Sequence, residues 1–253
     1  MTPTVVVHRD PSALADAAAD RLVTALVEAQ AERRSASVVL AGGGVAIAAL
    51  AAVAASPRRT DVDWQLVDVW WGDERYVEAG DPERNELQAR KALLDHVEVD
   101  PARVHPMGAL GGPDGEDVDA AAARYAAELA LAAPHGRGVP VFDVVLLGMG
   151  PDGHTASIFP ESAAAHDERA VIGVHGSPKP PPTRLTLGFT ALCSAQEAWV
   201  LAAGAEKAPA VALGLTGAGR VQLPVVGVQG RRQTLWLLDE AAAGDLPPTL
   251  RRL

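Results

Sequence analysis

The chain has 253 residues, 48% of them hydrophobic, which is enough for the core of one large α/β domain. Its 32 acidic residues outnumber its 22 basic ones, and the net charge of −10 argues against nucleic acid and anionic lipid as partners. The single cysteine, Cys193, rules out an intrachain disulfide and a cysteine-bound metal cluster, and we interpret it as a small apolar residue.

The N-terminal segment predicts a strand followed by a helix. Residues 5–7 are β-branched, as strands prefer, and Asp10 before Pro11 is typical of a helix start. Apolar residues then repeat at helical spacing, at Leu14, Ala18, Leu22 and Leu26. No basic segment leads into a long apolar one here, so we expect a cytoplasmic protein that does not span a membrane.

Strands and helices alternate along the rest of the chain. The predicted strands are 37–40, 64–71, 141–147, 171–174, 184–189, 198–201 and 234–238. One helix is predicted to begin at about Val45, and two others are predicted over residues 82–94 and 118–129. This alternation predicts a single α/β domain over residues 1–253, with a mostly parallel, Rossmann-like sheet covered by helices on both faces.

Three glycines, Gly42, Gly43 and Gly44, follow the strand predicted over 37–40. The free N–H groups and the dipole of the helix that begins there favour an anion such as a phosphate. A tight turn without a ligand is the alternative. No Gly-Lys-Ser/Thr sequence follows, which argues against a P-loop and a nucleoside triphosphate.

The stretch 144–160, VVLLGMGPDGHTASIFP, runs an apolar strand into a glycine-rich turn that carries His154. The carboxyl ends of strands are where open α/β folds bind ligands. Gly148, Gly150 and Gly153 also form a GxGxxG pattern, which can indicate a dinucleotide site. Here Pro160 limits the following helix to two turns at most, and no acidic residue ends a following strand, so we reject that interpretation.

His154 is the leading candidate for chemistry. Asp152, two residues earlier, could orient the imidazole and hold the tautomer of a general base. A structural loop histidine is the alternative. None of the seven histidines has the spacing of a short metal-binding motif, so we expect no metal.

Charged residues elsewhere could complete an anion site. The triplet 73–75, Asp-Glu-Arg, follows the third predicted strand and forms either a solvated corner or a polar site. The proline-rich segment 177–182 predicts a stiff loop that holds a lysine in place. The candidate anion-binding cations, each of which has a surface cation as its alternative, are Lys179, Arg184 and Lys207.

Taken together, these segments resemble the 6-phosphogluconolactonase family. They fall in the family's order along nearly the whole chain, and the long histidine motif is the most specific of them. The matching segments are 42–44, 71–75, Asn85 with Arg90, 148–157, 177–181, 184–186 and Lys207.

The resemblance implies hydrolysis of 6-phospho-D-glucono-1,5-lactone to 6-phosphogluconate, in the oxidative pentose phosphate pathway, without a metal or cofactor. It also implies the fold shared by glucosamine-6-phosphate deaminase and ribose-5-phosphate isomerase. The implied catalytic residues are His154, Asp152, Arg75 and Asp73. The implied substrate-binding residues are Gly42, Gly43, Gly44, Asn85, Gly150, Lys179, Arg184 and Lys207.

We expect each part of this site to have its own task. His154 takes a proton from water, with Asp152 orienting its ring. Arg75 binds the ring oxygens and the developing oxyanion, with Asp73 holding the guanidinium. The phosphate lies between the glycine loop and the three candidate cations. The expected partner is a phosphosugar lactone, and the expected state is a monomer or small homo-oligomer.

The sequence departs from the family in the first glycine loop. Relatives commonly carry Ser, Thr or Asn there, whereas residues 41–45 (AGGGV) offer no polar side chain. Each lost hydrogen bond to a charged group could cost about 1.5–3 kcal/mol. Weaker substrate binding, or compensation by Lys179 and Arg184, is therefore open.

Two other functions fit parts of the sequence. Glucosamine-6-phosphate deaminases have similar Asp-Glu and Asp-Gly-His elements, but they carry a carboxylate where this chain has Phe159 and usually an aromatic residue at the position of Arg75. A catalytically silent sugar-phosphate sensor would explain the apolar glycine loop. Such proteins usually add a DNA-binding segment, and we see no room for one before the first predicted strand.

Overall fold

The computed structural model describes residues 2–250, so the outermost ends of the predicted domain lie outside the described residues. The strands are β1 (Thr4–His8), β2 (Ala36–Leu40), β3 (Val67–Trp71), β4 (Asp73–Arg75), β5 (Val144–Gly148), β6 (Val171–Val174), β7 (Arg184–Leu187), β8 (Glu197–Ala202) and β9 (Gln233–Asp239). The α-helices are α1 (Pro11–Arg33), α2 (Gly44–Ala55), α3 (Asn85–Ala92), α4 (Val118–Ala132), α5 (Phe189–Leu192) and α6 (Ala208–Thr216).

Six strands form one parallel sheet in the order β1, β9, β8, β5, β2, β3. In register, Val38 of β2 lies beside Val69 of β3 and Val144 of β5. Every residue of β8 is buried, and since neighbouring residues of a strand point to opposite faces, both faces of the sheet are covered. The predicted α/β fold with a mostly parallel, helix-covered sheet is confirmed.

Helix α1 forms as its sequence predicts. A carboxylate oxygen of Asp10 accepts the N–H of Ala13 at 2.8 Å, and Pro11 takes the first helical position. The helix ends where Arg34 adopts a left-handed φ of 67°. The predicted apolar stripe that starts at Leu14 is buried and packs against α2 and the sheet.

Strands β4, β7 and β6 form a second, antiparallel sheet, which the sequence did not predict. The triplet Asp73–Arg75 is strand β4 and follows β3 after a single residue, Gly72. It pairs with Arg184–Leu187, so that Asp73 lies opposite Thr186. The solvated-corner interpretation of this triplet is therefore wrong.

Several predicted elements have different ends in the structure. The strand predicted over 64–71 begins at Val67, because Asp63 caps a 3-10 turn by accepting the N–H of Gln65. The strand predicted over 184–189 ends at Leu187, and the chain enters the short helix α5. The helix predicted over 82–94 covers Asn85–Ala92, and the strand predicted over 141–147 covers Val144–Gly148.

Large aromatic side chains fix the end of β3 from which the site is built. Trp70, Trp71 and Tyr125 are each 1% exposed. The Tyr125 hydroxyl accepts the N–H of Trp71 at 3.3 Å and donates to the carbonyl of His105 at 3.0 Å, which ties α4 to this strand. Within residues 2–250, no helix combines the length and apolar character needed to cross a membrane.

Candidate active site

A cleft with a volume of about 270 Å³ lies at the carboxyl ends of β2, β3 and β5, the edge at which α/β sheets bind ligands. It is lined by all the predicted site residues except one: Gly42, Gly43, Gly44, Asp73, Arg75, Asn85, Gly150, His154, Lys179, Arg184 and Lys207. The remaining one, Asp152, lies beside the cleft in contact with His154.

The turn after β5 brings His154 into this cleft. The N–H of Gly150 donates to the carbonyl of His154 at 3.0 Å, and the N–H of Gly153 donates to the carbonyl of Gly150 at 2.9 Å. Gly153 has a φ of +80°, a conformation that favours glycine. A Cβ on Gly150 would lie 2.1 Å from the imidazole, so glycine at this position makes room for the ring.

His154 and Asp152 form a hydrogen-bonded pair in which Nδ1 lies 2.5 Å from Oδ1. A carboxylate only accepts hydrogen bonds, so we assign the proton to Nδ1, which leaves Nε2 as an acceptor. Burial lowers the pKa of His154 and outweighs the opposing effect of Asp152. The imidazole is therefore neutral near pH 7 and suited to take a proton.

The pKa of Asp152 is also below its ordinary value. Burial acts to raise the pKa of this carboxyl, but the hydrogen bond and charge of His154, together with the charge of Lys179, outweigh burial. Asp152 is thus ionised whenever His154 works as a base. The negative charge of Asp152, fixed beside Nδ1, stabilises the imidazolium that forms when Nε2 accepts a proton.

The amide of Asn85 lies between Asp73 and Arg75. Its Nδ2 donates to the backbone carbonyl of Asp73 at 2.8 Å and to Oδ1 of that carboxylate at 3.2 Å. Its Oδ1 accepts from Nη1 of Arg75 at 2.9 Å, and the same guanidinium nitrogen donates to the carbonyl of Glu83. Asp73 is thus linked to Arg75 through the Asn85 amide, and the role of Asp73 in holding the guanidinium stays a prediction that this indirect link supports.

The Asp73 carboxylate has a different set of neighbours. Its Oδ2 accepts from the buried hydroxyl of Ser157 at 2.6 Å and lies 4.0 Å from Nη1 of Arg184. The backbone N–H of Ser157 donates to the hydroxyl of Thr186, the residue opposite Asp73 in the second sheet. The carboxylate therefore connects β4 to the histidine turn and to β7.

Glu74 points to the other side of β4 and holds the start of α3. It is fully buried, and its carboxylate accepts the N–H groups of Arg75 at 2.8 Å, Asn85 at 2.7 Å and Glu86 at 2.9 Å. The guanidinium of Arg84 lies 3.6 Å away. Burial raises the pKa of Glu74 to about 6 despite these partners. The carboxylate takes the place of a helix N-cap and thereby positions Asn85.

The glycine loop presents backbone rather than side chains to the cleft. Helix α2 begins at Gly44, and Gly43 before it has a φ of +96° that favours glycine. A Cβ on Gly42 would lie 2.0 Å from Oδ1 of Asn85. The Asn85 amide thus brings a polar side chain next to a loop that has none of its own.

Arg184 binds the proline-rich loop as well as facing the cleft. Its Nε donates to the carbonyl of Pro181 at 3.1 Å, and its Nη2 donates to the carbonyls of Lys179 at 3.1 Å and Pro180 at 2.9 Å. The side chain is buried, and burial lowers its pKa. Of its nitrogens, Nη1 is the one directed toward Asp73. The loop that carries Lys179 is therefore fastened, as predicted.

Lys207 completes a group of cations in this cleft. It lies immediately before α6, and burial lowers the pKa of its ammonium group. Lys179, Arg184 and Lys207 line the same cleft as the start of α2, whose N–H groups carry partial positive charge. In a protein of net charge −10, this is a local concentration of positive charge that suits an anionic ligand.

Three residues that support the site were not predicted as part of it: Glu74, Ser157 and Phe159. Ser157 ends the matched histidine segment 148–157 and Phe159 lies two residues beyond it, and nothing in the sequence indicated that the Ser157 hydroxyl would reach Asp73. Glu74 could not be found from the sequence, which predicted the helix from residue 82, whereas α3 begins after Arg84, a residue that is rare as an N-cap. A carboxylate from elsewhere was needed to accept the free N–H groups of that helix.

Comparison with known proteins places the chain in a family. The family described as glucosamine-6-phosphate isomerases/6-phosphogluconolactonase matches residues 9–236, and the chain belongs to it. A Streptomyces coelicolor protein named 6-phosphogluconolactonase is 58% identical over 252 residues, which cover 98% of this chain and 97% of that one.

Solved structures share the fold. The 6-phosphogluconolactonase of Trypanosoma brucei has a TM-score of 0.83 and 32% identity, and the match covers 97% of this chain and 99% of that one. A monomeric glucosamine-6-phosphate deaminase has a TM-score of 0.77 with 96% and 99% coverage, and at 20% identity it shows the fold alone. The predicted likeness to the deaminase fold is thus confirmed.

Proposed function

We propose that the protein is a 6-phosphogluconolactonase, which hydrolyses 6-phospho-D-glucono-1,5-lactone to 6-phosphogluconate. The observation that carries this proposal is that His154, paired with Asp152, lines the same cleft as the start of α2 and the cations Lys179, Arg184 and Lys207. One half of the arrangement suits the activation of water, and the other half suits a phosphate. The family of the chain and the names of its relatives support the same activity.

The first step is the attack of water on the lactone carbonyl. Nε2 of His154 accepts a proton from the water as its oxygen bonds to the carbonyl carbon, and the carbonyl oxygen becomes an oxyanion. Asp152 stabilises the resulting imidazolium through Nδ1. When the tetrahedral carbon breaks its bond to the ring oxygen, the imidazolium returns the proton to that oxygen. The ring opens to a hydroxyl and a carboxylic acid, which then ionises.

Arg75 stabilises the oxyanion in this mechanism. Its guanidinium lines the cleft and is fixed by the Asn85 amide and the Glu83 carbonyl. A donor that is already in position needs no reorganisation when charge develops on the substrate, and this is the main source of such stabilisation. Asp73, Asn85 and Ser157 keep the guanidinium and the histidine turn in fixed relative positions.

The phosphate binds between the N–H groups of residues 42–44 and the cations Lys179, Arg184 and Lys207. The apolar glycine loop leaves most of the attraction to the cations. Gly150 leaves space for the His154 ring, which a residue with a Cβ would not. The deaminase alternative is disfavoured because Phe159, at the position of its carboxylate, is a buried aromatic ring that cannot transfer a proton.

The test is an assay on freshly generated 6-phosphogluconolactone, with product formation coupled to a detectable oxidation and corrected for spontaneous hydrolysis. We expect enzyme-dependent hydrolysis that saturates with substrate. No rate above the spontaneous one would contradict the proposal and would favour the silent sensor. The expected cytoplasmic location and the expected monomeric or small homo-oligomeric state stay predictions, which cell fractionation and sedimentation analysis would test.

A further inference from the structure

Phe159 forms one wall around the catalytic imidazole. Its ring centroid lies 4.6 Å from that of His154 with an angle of 27° between the planes. The Phe159 side chain is 2% exposed, so this face of the imidazole is closed to water. The Nδ1 atom is occupied by Asp152, and the ring fills the space that a Cβ on Gly150 would take. These contacts leave Nε2 for the substrate side.

A tight turn brings Phe159 back to His154, five residues earlier in the chain. Thr155 and Ile158 exchange backbone hydrogen bonds at 3.3 Å and 3.0 Å, and the Thr155 hydroxyl donates to the carbonyl of Gly148 at the end of β5. The carbonyl of Phe159 accepts from the hydroxyl of Ser162 at 2.7 Å. The backbone is therefore held on both sides of Phe159, which limits the positions that its buried ring can take.

The same ring also contacts the phosphate side of the cleft. The guanidinium carbon of Arg184 lies 6.0 Å from the Phe159 centroid, within the range of a cation–π contact. Because Arg184 fastens the loop that carries Lys179, Phe159 connects the base to the loop with the candidate phosphate ligands. One buried aromatic ring thus touches both halves of the site.

We propose that Phe159 is a positioning residue of the lactonase reaction, which holds the plane of the His154 imidazole against Asp152 and keeps water from one face, so that Nε2 is aimed at the substrate. This inference rests on the proposed role of His154 as general base. The charged groups that act on the imidazole are Asp152 from its own turn, Asp73 from β4 and Lys179 from the proline-rich loop. Arg184 of β7 faces the ring of Phe159 itself.

The test compares Phe159→Leu with a matched control, Phe142→Leu. Phe142 is also fully buried, but it precedes β5 at the opposite end from His154 and packs near Trp70. Both substitutions remove an aromatic ring from the interior and should destabilise the fold in a similar way. Only the loss at position 159 removes a contact with the base.

We expect Phe159→Leu to lower kcat by about ten- to a hundred-fold, because a loosely held base takes the proton from water in poor geometry, with KM changed less than kcat. The pH at which kcat/KM reaches half of its plateau should move upward, because water that reaches the imidazole removes part of the burial that lowers its pKa. Phe142→Leu should leave both the pH profile and kcat close to those of the unmodified protein.

A readout that does not depend on catalysis separates this inference from the proposed function. The ring signals of His154, assigned with His154→Gln, are titrated by NMR in both phenylalanine variants. An upward shift of the pKa of His154 in Phe159→Leu alone shows that Phe159 shields the imidazole, as the inference requires. Retained activity in His154→Gln would instead contradict the role of His154 as base, so the two failures are distinguishable. Should Phe159→Leu not fold, Phe159→Met, which keeps most of the volume without an aromatic face, replaces it. An unchanged titration and kcat, or equal changes in both phenylalanine variants, would overturn the inference.

Discussion

Glu74 accepts the N–H of Asn85 at 2.7 Å, so a buried carboxylate of β4 fixes the first residue of α3. Because β4 alternates its side chains, Asp73 and Arg75 line the cleft while Glu74 lies on the far side. The Asn85 amide then reaches back to both of them. Glu74 therefore has a structural role, whereas Asp73 and Arg75 face the cleft. The helix that Glu74 holds carries Asn85, whose amide links Asp73 to Arg75.

His154→Ala should lower kcat by about 10²–10⁴-fold while the protein stays folded, because a positioned general base contributes that much. The pH dependence follows from the direction of its pKa shift. Burial lowers the pKa of His154, and the base works unprotonated, so kcat/KM should rise with pH through that lowered pKa and stay level above it. Initial rates between pH 4.5 and 8 measure this. A variant with nearly normal kcat would remove His154 from the mechanism.

Arg75→Ala should lower kcat and kcat/KM together, because the guanidinium is assigned to a charge that exists only in the transition state. Asn85→Ala should act in the same direction and more weakly, since it frees the guanidinium without removing it. Steady-state kinetics of both variants distinguish the roles. A rise in KM alone for Arg75→Ala would make this residue an anchor of the bound substrate instead.

Much of the fold and site could be predicted because short-range signals fix them. Asp10 before Pro11 and the apolar run into the histidine turn are local patterns, and the structure has a helix and a strand where they predict them. The second sheet could not be predicted, because antiparallel pairing of β4 with β7 joins residues more than a hundred positions apart. The sequence also did not indicate that the Asn85 amide would link Asp73 to Arg75, because that contact depends on where α3 begins relative to β4.

Glu74 should make the stability of the protein fall with rising pH. Its pKa is raised from 4.5 to about 6 on folding, so the folded state holds a proton that the unfolded state has lost in that interval. The contribution is fully present below pH 4.5 and is lost as pH rises through 6, with a total of about 2 kcal/mol. Urea unfolding of the unmodified protein and Glu74→Gln at several pH values measures the difference. Glu78→Gln, at an exposed position, is the control and should keep the pH dependence of the unmodified protein, because Glu74 is still present.

His105 should also make the stability of the protein fall with rising pH, at a higher pH than Glu74 does. Burial acts to lower the pKa of His105, but hydrogen bonds with Asp68 and Glu128 outweigh burial and raise it. The ring also stacks on Trp70 at 3.7 Å, which joins β3 to α4 through this histidine. The stabilisation is full below the unfolded pKa of 6.5 and is lost as pH rises through the raised value.

The measurement for His105 is the free energy of unfolding at pH 6 and at pH 9 for the unmodified protein and for His105→Gln. The gap between the two proteins should be larger at pH 6. His96→Gln, at an exposed histidine, controls for the loss of a titrating group as such. A gap that widens with rising pH would show that the neutral imidazole is the stabilising form.

The last prediction concerns the phosphate, and the contacts of Arg184 change which variant tests it best. Lys179→Ala should weaken binding of 6-phosphogluconate by more than it weakens binding of unphosphorylated gluconate, because it removes a charge from an acidic protein's local positive site. Arg184→Ala should weaken both ligands, and the phosphorylated one more, because this guanidinium also fastens the loop through the carbonyls of residues 179–181. Calorimetric titration of both ligands against both variants, with Lys207→Ala as a third, gives the comparison. An equal loss for the two ligands in Lys179→Ala would place the phosphate elsewhere in the cleft.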